Sequence, residues 1–437
     1  MGNCNEKRRY YFGIDLGTTN SVLAYAEVDP DNQETTPISP EIVEINMPGR
    51  TNPRAYDTDK LLPSCVYFNR TGQSIVGTHA KGMLKSPHAN VVKSIKTKMG
   101  TSAPIFGYSP EEISKQVLKA LIDGVPGWVF PTDVFPPDEV VIGIPASFEP
   151  SMCRATLDAA KKAGIKNPIL VHEPIAALHD YRNQQERGLF PVGVIGIEFT
   201  DEPKLILVFD LGGGTLDVTL HEVSLSNNGK LSVKELAISR YTSIGGDNFD
   251  KLLAKYFLDI HEKGRGGLTN RKQLKPQFQE YAEEAKINLS THIEMNKLHG
   301  VFNPRTTQIG FTSLNRFRRP DGVFNYNLTL CEYEKVIAPL LAHHLTLNSN
   351  PMSSASKSSD NIIDPILNVL EKGQQKFGSE ETIKPHAVLL NGAMTNLYTV
   401  QKRLKTLFQN VPVSPILDPD IAVARGAVIA HYDKYNP

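Results

Sequence analysis

The sequence has no surplus of charge of either sign and no long apolar run. Its 437 residues include 47 basic and 47 acidic side chains. Binding to nucleic acid or to an anionic membrane surface depends on a surplus of Lys and Arg, so neither is expected. No stretch approaches the roughly 18 apolar residues of a membrane-spanning helix, and residues 1–15 lack the apolar core of a secretory signal. We therefore expect a cytoplasmic protein without a transmembrane segment.

Cysteine is scarce as well. The four cysteines, Cys4, Cys65, Cys153 and Cys331, stand far apart without a CxxC pair, and the histidines show no HExxH spacing. Structural zinc sites need closely spaced ligands and disulfide frameworks need many cysteines, so neither is predicted. The GxxxxGK[ST] sequence of P-loop enzymes is also absent, which excludes that class of nucleotide-binding protein.

What is present is an ordinary globular composition arranged as alternating strands and helices. Residues 139–145 and 169–174 are apolar runs that predict buried strands, and residues 150–163 and 175–181 predict the helices that follow them. This alternation indicates an α/β core. At roughly 100–200 residues per domain, the length predicts two large lobes with a ligand site between them. The polar stretch 348–360 predicts a surface loop.

One motif occurs twice, with Asp15 and Asp210 standing 195 positions apart. Residues 10–23 read YYFGIDLGTTNSVL, and residues 206–219 read ILVFDLGGGTLDVT. Each copy is an apolar run, an acidic residue, a turn of glycine and threonine, and a second β-rich run, which predicts a β-hairpin. The repeat therefore predicts two similar lobes that face one another.

Both turns have the composition of phosphate-binding loops. The turn after Asp15 offers backbone N–H groups and hydroxyls, and the carboxylate can hold a hydrated divalent cation. In the second copy, three consecutive glycines at 212–214 cost conformational entropy unless something packs against bare backbone. The two turns together could hold a triphosphate from both sides, and because the nearby acids would repel it, a metal ion is implied.

Six further short motifs occur along the chain. They are 94–100 (SIKTKMG), 143–148 (GIPASF), 172–174 (HEP), 245–250 (GGDNFD), 283–290 (EEAKINLS) and 418–428 (DPDIAVARGAV). With the two turns, these segments resemble the nucleotide-binding half of the DnaK-type heat-shock 70 kDa chaperones, within the actin-like ATPase superfamily. The resemblance extends over almost the whole chain.

The resemblance implies an α/β, actin-like ATPase fold with a ribonuclease H-like duplicated core, in which two lobes with four subdomains surround a nucleotide cleft. The implied boundaries are 1–44 and 112–202 for the core of lobe I (IA), 45–111 for its peripheral subdomain (IB), 203–243 and 328–437 for the core of lobe II (IIA), and 244–327 for its peripheral subdomain (IIB). It also implies slow, Mg-dependent ATP hydrolysis with chaperone-type conformational switching. ATP or ADP, Mg²⁺ and K⁺ are the implied cofactors. A J-domain-type co-chaperone or a nucleotide-exchange factor is the implied partner of a monomer.

The resemblance also implies roles for individual residues, according to their positions in the matching motifs. The implied catalytic residues are Lys96, Glu173, Asp210, Thr215 and Asp217, with Lys96 reaching the γ-phosphate and Asp217 beside a monovalent cation. Asp15, Glu173 and Asp210 would hold the metal, mainly through water. The implied nucleotide contacts are Asp15, Gly17, Thr18, Thr19, Asn20, Gly212, Gly213, Gly214, Thr215, Gly245, Gly246, Glu283, Lys286, Ser290, Gly392 and Asp420.

The chain departs from the family pattern in two ways. Ile287 and Thr395 stand where the family has two arginines that stack on adenine, so the base is expected to have apolar contacts only. The family also continues into a peptide-binding β-sandwich, which is not expected in this chain. An alternative interpretation is therefore a nucleotide-binding regulator or pseudoenzyme without significant hydrolysis. A sugar kinase or a filament-forming protein would share the fold, but neither has a recognisable signature here.

Overall fold

A computed structural model describes residues 8–29, 37–47, 58–84, 89–191, 196–263, 271–314, 323–350, 359–378 and 383–436. Every candidate site residue lies in these ranges, whereas most of the predicted loop at 348–360 and Cys4 lie outside them. None of the described helices offers an apolar stretch long enough to cross a membrane.

The first part of the chain, here lobe I, is built on one large sheet with small peripheral sheets. Its strands are β1 (Arg9–Asp15), β2 (Asn20–Val28), β3 (Glu41–Ile42), β4 (Ile45–Asn46), β5 (Thr58–Asp59), β6 (Leu62–Pro63), β7 (Val66–Phe68), β8 (Ser74–Val76), β9 (Asn90–Val92), β10 (Glu139–Ile144) and β11 (Asn167–His172). Its helices are α1 (Thr78–Met83), α2 (Pro110–Asp123), α3 (Pro150–Lys162) and α4 (Glu173–Glu186), with a short 3-10 helix at Ile95–Lys98.

The second part, here lobe II, is built on another large sheet. Its strands are β12 (Lys204–Leu211), β13 (Leu216–Leu225), β14 (Leu231–Ile238), β15 (Gln308–Leu314), β16 (Val323–Thr329), β17 (Ala387–Asn391) and β18 (Val413–Pro415). Its helices are α5 (Gly246–Lys263), α6 (Arg271–Leu298), α7 (Leu330–Leu341), α8 (Asp364–Phe377) and α9 (Tyr398–Leu407), with a 3-10 helix at Ala393–Asn396, and the chain then enters α10 (Ala422–Tyr435).

The two large sheets have the same topology. The first has the order β11-β10-β1-β2-β3 and the second β18-β17-β12-β13-β14. In each, the repeated motif forms an antiparallel hairpin, β1 with β2 and β12 with β13, and the first strand of the hairpin pairs in parallel with a later strand, β10 or β17. The predicted α/β fold with a duplicated core is therefore confirmed.

Local signals in the sequence account for where several helices begin and end. Ser109 Oγ accepts a hydrogen bond from the Glu112 N–H at 3.2 Å, and the Glu112 carboxylate accepts one from the Ser109 N–H at 2.8 Å, which caps α2. The predicted helix over 150–163 is α3, and Gly164 follows it with a φ of +105° that favours glycine.

Helices α4 and α10 connect the two lobes. Tyr181 and Leu178 of α4 share one buried cluster with Ile206 and Leu389 of the second sheet. Helix α10 packs on β1, β2 and α4, so closely that a Cβ atom on Gly13 would lie 2.5 Å from the Ala424 carbonyl oxygen. The end of the chain therefore returns to lobe I. The four-part division stays a prediction. It assigns residues 328–437 to the core of lobe II, whereas α10, which lies in that range, packs on the first sheet.

Candidate functional site

The two glycine-threonine turns face each other directly. A Cβ atom on Gly213 would lie 1.8 Å from Thr19 Oγ1, and one on Gly214 would lie 2.5 Å from Thr18 Cγ2. The bare backbone of the second turn therefore packs against side chains of the first, which requires glycine at both positions. The predicted juxtaposition of the two turns is confirmed.

A cavity of about 540 Å³ opens between the two lobes at these turns. Its walls include most of the residues that the sequence motifs selected. They are Asp15, Gly17, Thr18, Thr19, Asn20, Lys96, Glu173, Asp210, Gly212, Gly213, Thr215, Gly246, Glu283, Lys286, Ser290, Gly392 and Asp420. Gly214, Gly245 and Asp217 lie behind this wall. A Cβ atom on Gly245 would lie 2.4 Å from the Gly214 nitrogen, so Gly245 supports the second turn from behind.

Strand topology brings two of the acids, Asp15 and Glu173, to one end of the cavity. Asp15 ends β1, which pairs in parallel with β10, and β10 pairs in parallel with β11. The carboxyl ends of these strands lie at one edge of the sheet, and Glu173 follows β11 directly. The predicted strand over 169–174 and the helix from 175 are both present, but the boundary between them lies two residues earlier than predicted. Helix α4 begins at Glu173 because Pro174 is accommodated in the first turn of a helix.

Lys96 lies buried among these acids, with 4% of its surface exposed. Its Nζ atom contacts Glu173 Oε1 and lies 3.8 Å from Asp15 Oδ1. Burial by itself would lower the pKa of Lys96, but the carboxylates of Glu173 and Asp15 outweigh it and raise the pKa. The ammonium group is therefore charged, and it is held in place before any ligand binds.

The surroundings of Asp15, Asp210 and Asp217 disfavour the charged form of these carboxyl groups. Burial raises the pKa of Asp15 to about 7 against the opposing effect of Lys96. Burial also raises the pKa of Asp217 to about 7, and burial together with Glu173 raises the pKa of Asp210 well above its usual range. Among the described residues, eight carboxylates and four lysines line the cavity. A cation placed among these carboxylates would be stabilised.

No three carboxylates, histidines or cysteines among the described residues lie close enough together to ligate a metal ion directly. The metal-binding role of Asp15, Glu173 and Asp210 stays a prediction.

Two polar residues that were not among the implied site residues contact the acids. The Asn391 side-chain amide donates a 2.7 Å hydrogen bond to Asp210 Oδ2, and the Ser147 hydroxyl donates to Asp217 Oδ1. Asp217 Oδ2 is buried and has no hydrogen-bond partner within the described ranges. The sequence signal for Asn391 is its position as the polar residue at the end of the apolar run AVLLN.

Ion pairs join the two lobes across the mouth of the cavity. Lys81 Nζ of α1 lies 3.0 Å from Glu283 Oε1 of α6, and Lys93 Nζ lies 2.9 Å from Asp247 Oδ1 of α5. Lys286, on the same face of α6 as Glu283, pairs with Asp250 at 2.8 Å. The helical spacing predicted that Glu283, Lys286 and Ser290 share one face, which is confirmed, but the charged groups of Glu283 and Lys286 already have protein partners.

The wall formed by α6 and the segment after β17 has no planar cation. Ile287 lines the cavity with 53% of its surface exposed, and Met394 also lines it. Thr395 is buried and turned away, because its hydroxyl donates a 2.7 Å hydrogen bond to the Gly392 carbonyl oxygen. No arginine occurs among the residues described as lining this cavity. Ile287 and Met394 are therefore apolar lining residues of this wall, here called the apolar wall, and apolar contact with a base stays a prediction.

Comparison with known proteins gives one family. A family model described as Hsp70 protein matches residues 106–364, which is more than half of the chain. The chaperone protein DnaK of Thermosipho africanus is 29% identical over 431 residues, covering 97% of this chain and 59% of the relative. DnaK of Thermotoga maritima is 28% identical over 429 residues with the same coverage, and DnaK of Mycoplasma mycoides is 29% identical over 424 residues, covering 95% and 58%. The chain thus spans less than two thirds of the length of these relatives, and its matched region shows that it belongs to the Hsp70 family.

Proposed function

We propose that this chain is a chaperone-type nucleotide-binding domain that binds ATP with Mg²⁺ in the cleft and hydrolyses it slowly to ADP and phosphate. The observation that carries the proposal is the pair of matching turns that face each other across one cavity, with buried carboxylates and Lys96 at its closed end. Phosphoryl transfer needs positioning and charge neutralisation more than a covalent nucleophile, and this arrangement offers both.

The two turns would hold the phosphates. The second turn presents backbone N–H groups between Gly212 and Thr215, and the first presents the hydroxyls of Thr18 and Thr19. Such groups bind phosphate oxygens without bringing a second negative charge close to them. The absence of a side chain at Gly212, where the nearest atom to a Cβ would be the Thr215 carbonyl oxygen at 3.7 Å, would let a phosphate approach the backbone.

The acids would hold the metal through water. Asp15, Glu173 and Asp210 lie at the same end of the cavity, together with the Lys96 ammonium. Mg²⁺, when bound, supplies the positive charge that offsets the phosphate oxygens. The buried and unpartnered Asp217 Oδ2 atom is a candidate contact for K⁺. Catalytic roles for Glu173, Asp210, Thr215 and Asp217 belong to this proposal.

The protein groups around the proposed reaction centre have fixed positions. Glu173 holds the Lys96 ammonium, and Asn391 holds the Asp210 carboxylate. Lys96 would stabilise charge that develops on the transferred phosphoryl group, and Glu173 and Asp210 would orient the attacking water.

The cross-cleft ion pairs support a conformational role. Closing and reopening of the cleft would make and break the Lys81–Glu283 and Lys93–Asp247 contacts, so the two nucleotide states would present different surfaces. Partners of the J-domain or nucleotide-exchange type, a monomeric state, a cytoplasmic location and the four-subdomain division belong to the same proposal.

The test is calorimetric titration of ATP, ADP and GTP into the purified chain, with Mg²⁺ and with a chelator, combined with a phosphate-release assay on the same preparation. We expect ATP and ADP to bind with Mg²⁺, the chelator to weaken binding at least about 100-fold because of charge repulsion, and phosphate release to exceed that of Asp210→Asn and Thr215→Ala. Absence of nucleotide binding in the presence of Mg²⁺ would contradict the proposal.

A nucleotide-binding regulator without significant hydrolysis is the second candidate. The apolar wall at Ile287 favours it, because loss of base-stacking cations weakens selectivity for adenine without affecting the phosphate end. Tight nucleotide binding with phosphate release no higher than that of Asp210→Asn would select this candidate.

A further inference from the structure

A set of contacts crosses the cleft beside the proposed phosphate site and converges on Asp247, near the start of α5. Asp247 Oδ1 lies 2.9 Å from Lys93 Nζ, and Asp247 Oδ2 accepts a 3.2 Å hydrogen bond from Ser94 Oγ. Lys93 and Ser94 follow β9 in lobe I, whereas Asp247 belongs to lobe II. One carboxylate of lobe II therefore contacts two consecutive residues of lobe I.

The backbone of Asp247 is fixed to the second glycine turn. The Asp247 N–H donates a 2.8 Å hydrogen bond to the Gly213 carbonyl oxygen, and the Gly246 N–H donates a 3.0 Å bond to that of Gly212. The start of α5 cannot shift without displacing this turn. The position of the Asp247 carboxylate is therefore tied to the position of the turn.

On the opposite side of the cleft, Ser94 begins the 3-10 turn Ile95–Lys98 that carries Lys96. Its carbonyl oxygen accepts bonds from the Thr97 N–H at 3.2 Å and the Thr97 hydroxyl at 2.9 Å. Ser94 has a φ of +57°, a left-handed conformation that is unfavourable for serine and persists only when surrounding contacts hold it. The Asp247 carboxylate is such a contact, and Lys96 follows two residues later.

We propose that Asp247 is a positioning residue. Its carboxylate clasps Lys93 and Ser94, which holds the Lys96 turn of lobe I against the glycine turn of lobe II and keeps the cleft closed. We name these three residues the Asp247 clasp. That the cleft closes on a nucleotide rests on the proposed function, but the closure itself does not, because every contact in the clasp joins two protein groups.

Closure can be measured without a ligand through the native thiol of Cys65. This side chain lines the cavity and is 6% exposed, and burial raises its pKa to about 11. Cys331 on α7 is exposed and Cys153 is half-buried in lobe I. Alkylation by iodoacetamide, read for each cysteine by peptide mass spectrometry, reports opening of the cleft as the rate at Cys65 relative to Cys331.

Three variants divide the clasp into its parts. Asp247→Ala removes both contacts, Asp247→Asn removes the charge but keeps an acceptor for Ser94, and Lys93→Met removes only the ion pair. We expect Asp247→Ala to accelerate alkylation of Cys65 and release of bound ATP about three- to tenfold, the combined effect of a part-exposed ion pair and a hydrogen bond. Smaller accelerations are expected for Asp247→Asn and Lys93→Met.

The matched control is Lys119→Met, which removes the 2.8 Å Lys119–Asp123 pair within α2 and should change neither rate. Lys93 has a side chain that is 46% exposed, so Lys93→Met is expected to fold even if Asp247→Ala does not. An unchanged rate at Cys65 in the clasp variants would overturn the clasp while leaving nucleotide binding by the unmodified chain intact. Equal acceleration at Cys65 and Cys153 would also overturn it, because it would indicate general loosening of lobe I.

A third result separates the two proposals. If the unmodified chain binds no nucleotide, the proposed function fails, and the alkylation rates of the ligand-free protein still decide whether Asp247 holds the cleft closed.

Discussion

Asp210 and Asn391 lie opposite one another on adjacent parallel strands, β12 and β17, and the Asn391 amide donates a 2.7 Å hydrogen bond to Asp210 Oδ2. Both side chains are buried. A buried carboxylate is costly without donors, so this bond fixes the acid that the repeated motif places at the centre of the site.

Replacement of Asn391 by Leu should therefore lower the free energy of unfolding by about 1–3 kcal/mol, because Asp210 is left buried without this donor. Urea unfolding at neutral pH measures the change. In a background that already contains Asp210→Asn, the same replacement should have a smaller effect. Equal losses in the two backgrounds would show that Asn391 does not act through Asp210.

Gly213→Ala should prevent the two turns from approaching each other. The new Cβ atom would lie 1.8 Å from Thr19 Oγ1 in the opposite lobe. Because the clash is between lobes, we expect each lobe to stay folded. The affinity for ATP should fall at least about 100-fold, because several phosphate contacts would be lost. Calorimetry measures the affinity.

Gly82→Ala, at a glycine of α1 with no atom near its would-be Cβ, is the control and should bind ATP like the unmodified chain. Normal affinity of Gly213→Ala would contradict the observed packing of the two turns.

Lys96→Met should abolish phosphate release above the Asp210→Asn background and should lower the free energy of unfolding by about 3 kcal/mol, because Glu173 is left buried without its partner. Lys286→Met removes a similarly buried ammonium whose partner, Asp250, lies in lobe II. That variant should raise KM for ATP with less effect on kcat. Steady-state kinetics distinguish the two, and a kcat for Lys96→Met equal to that of Lys286→Met would contradict the role of Lys96.

Ile287→Arg should strengthen ATP binding about two- to fivefold, because a cation would be added to the exposed position on the apolar wall. Ile287→Gln has similar length without the charge and should not do so. Thr395→Arg should instead destabilise the fold, because the threonine side chain is buried against the Gly392 carbonyl. Titration of ATP and GTP into each variant measures the effect, and equal affinities for Ile287→Arg and Ile287→Gln would exclude stacking by the cation.

Stability should fall below neutral pH because of His221. The ring is buried in β13, its Nε2 atom lies 2.8 Å from Thr219 Oγ1, and burial lowers its pKa to about 4. A group whose pKa is lower in the folded state gives stability that is complete above its unfolded pKa of about 6.5 and is lost as pH falls toward 4, by up to about 3 kcal/mol.

Urea unfolding at pH 7.5, 6 and 4.5 tests this, with His221→Gln expected to reduce the loss and replacement of the exposed His344 expected to leave it unchanged. A pH profile for His221→Gln that matches that of the unmodified chain would show that other groups govern the acid sensitivity.

Much of the fold and of the site follows from the chain order of a few motifs. The repeated apolar run, acid and glycine turn specify a hairpin locally, because glycine supplies backbone freedom and the flanking runs are buried as strands. The capping box at Ser109 and the glycine after α3 likewise act over a few residues. The sequence by itself therefore determined the two hairpins, the α/β class and the glycine-rich turns.

Only the tertiary structure decided which side chains meet across the cleft. Asn391 reaches Asp210, and Lys81 and Lys93 reach Glu283 and Asp247, because strands and helices distant in sequence are brought together by the pairing of β12 with β17 and by the packing of the lobes. Contacts between distant segments depend on the geometry of the whole chain, and no local pattern of residues encodes them.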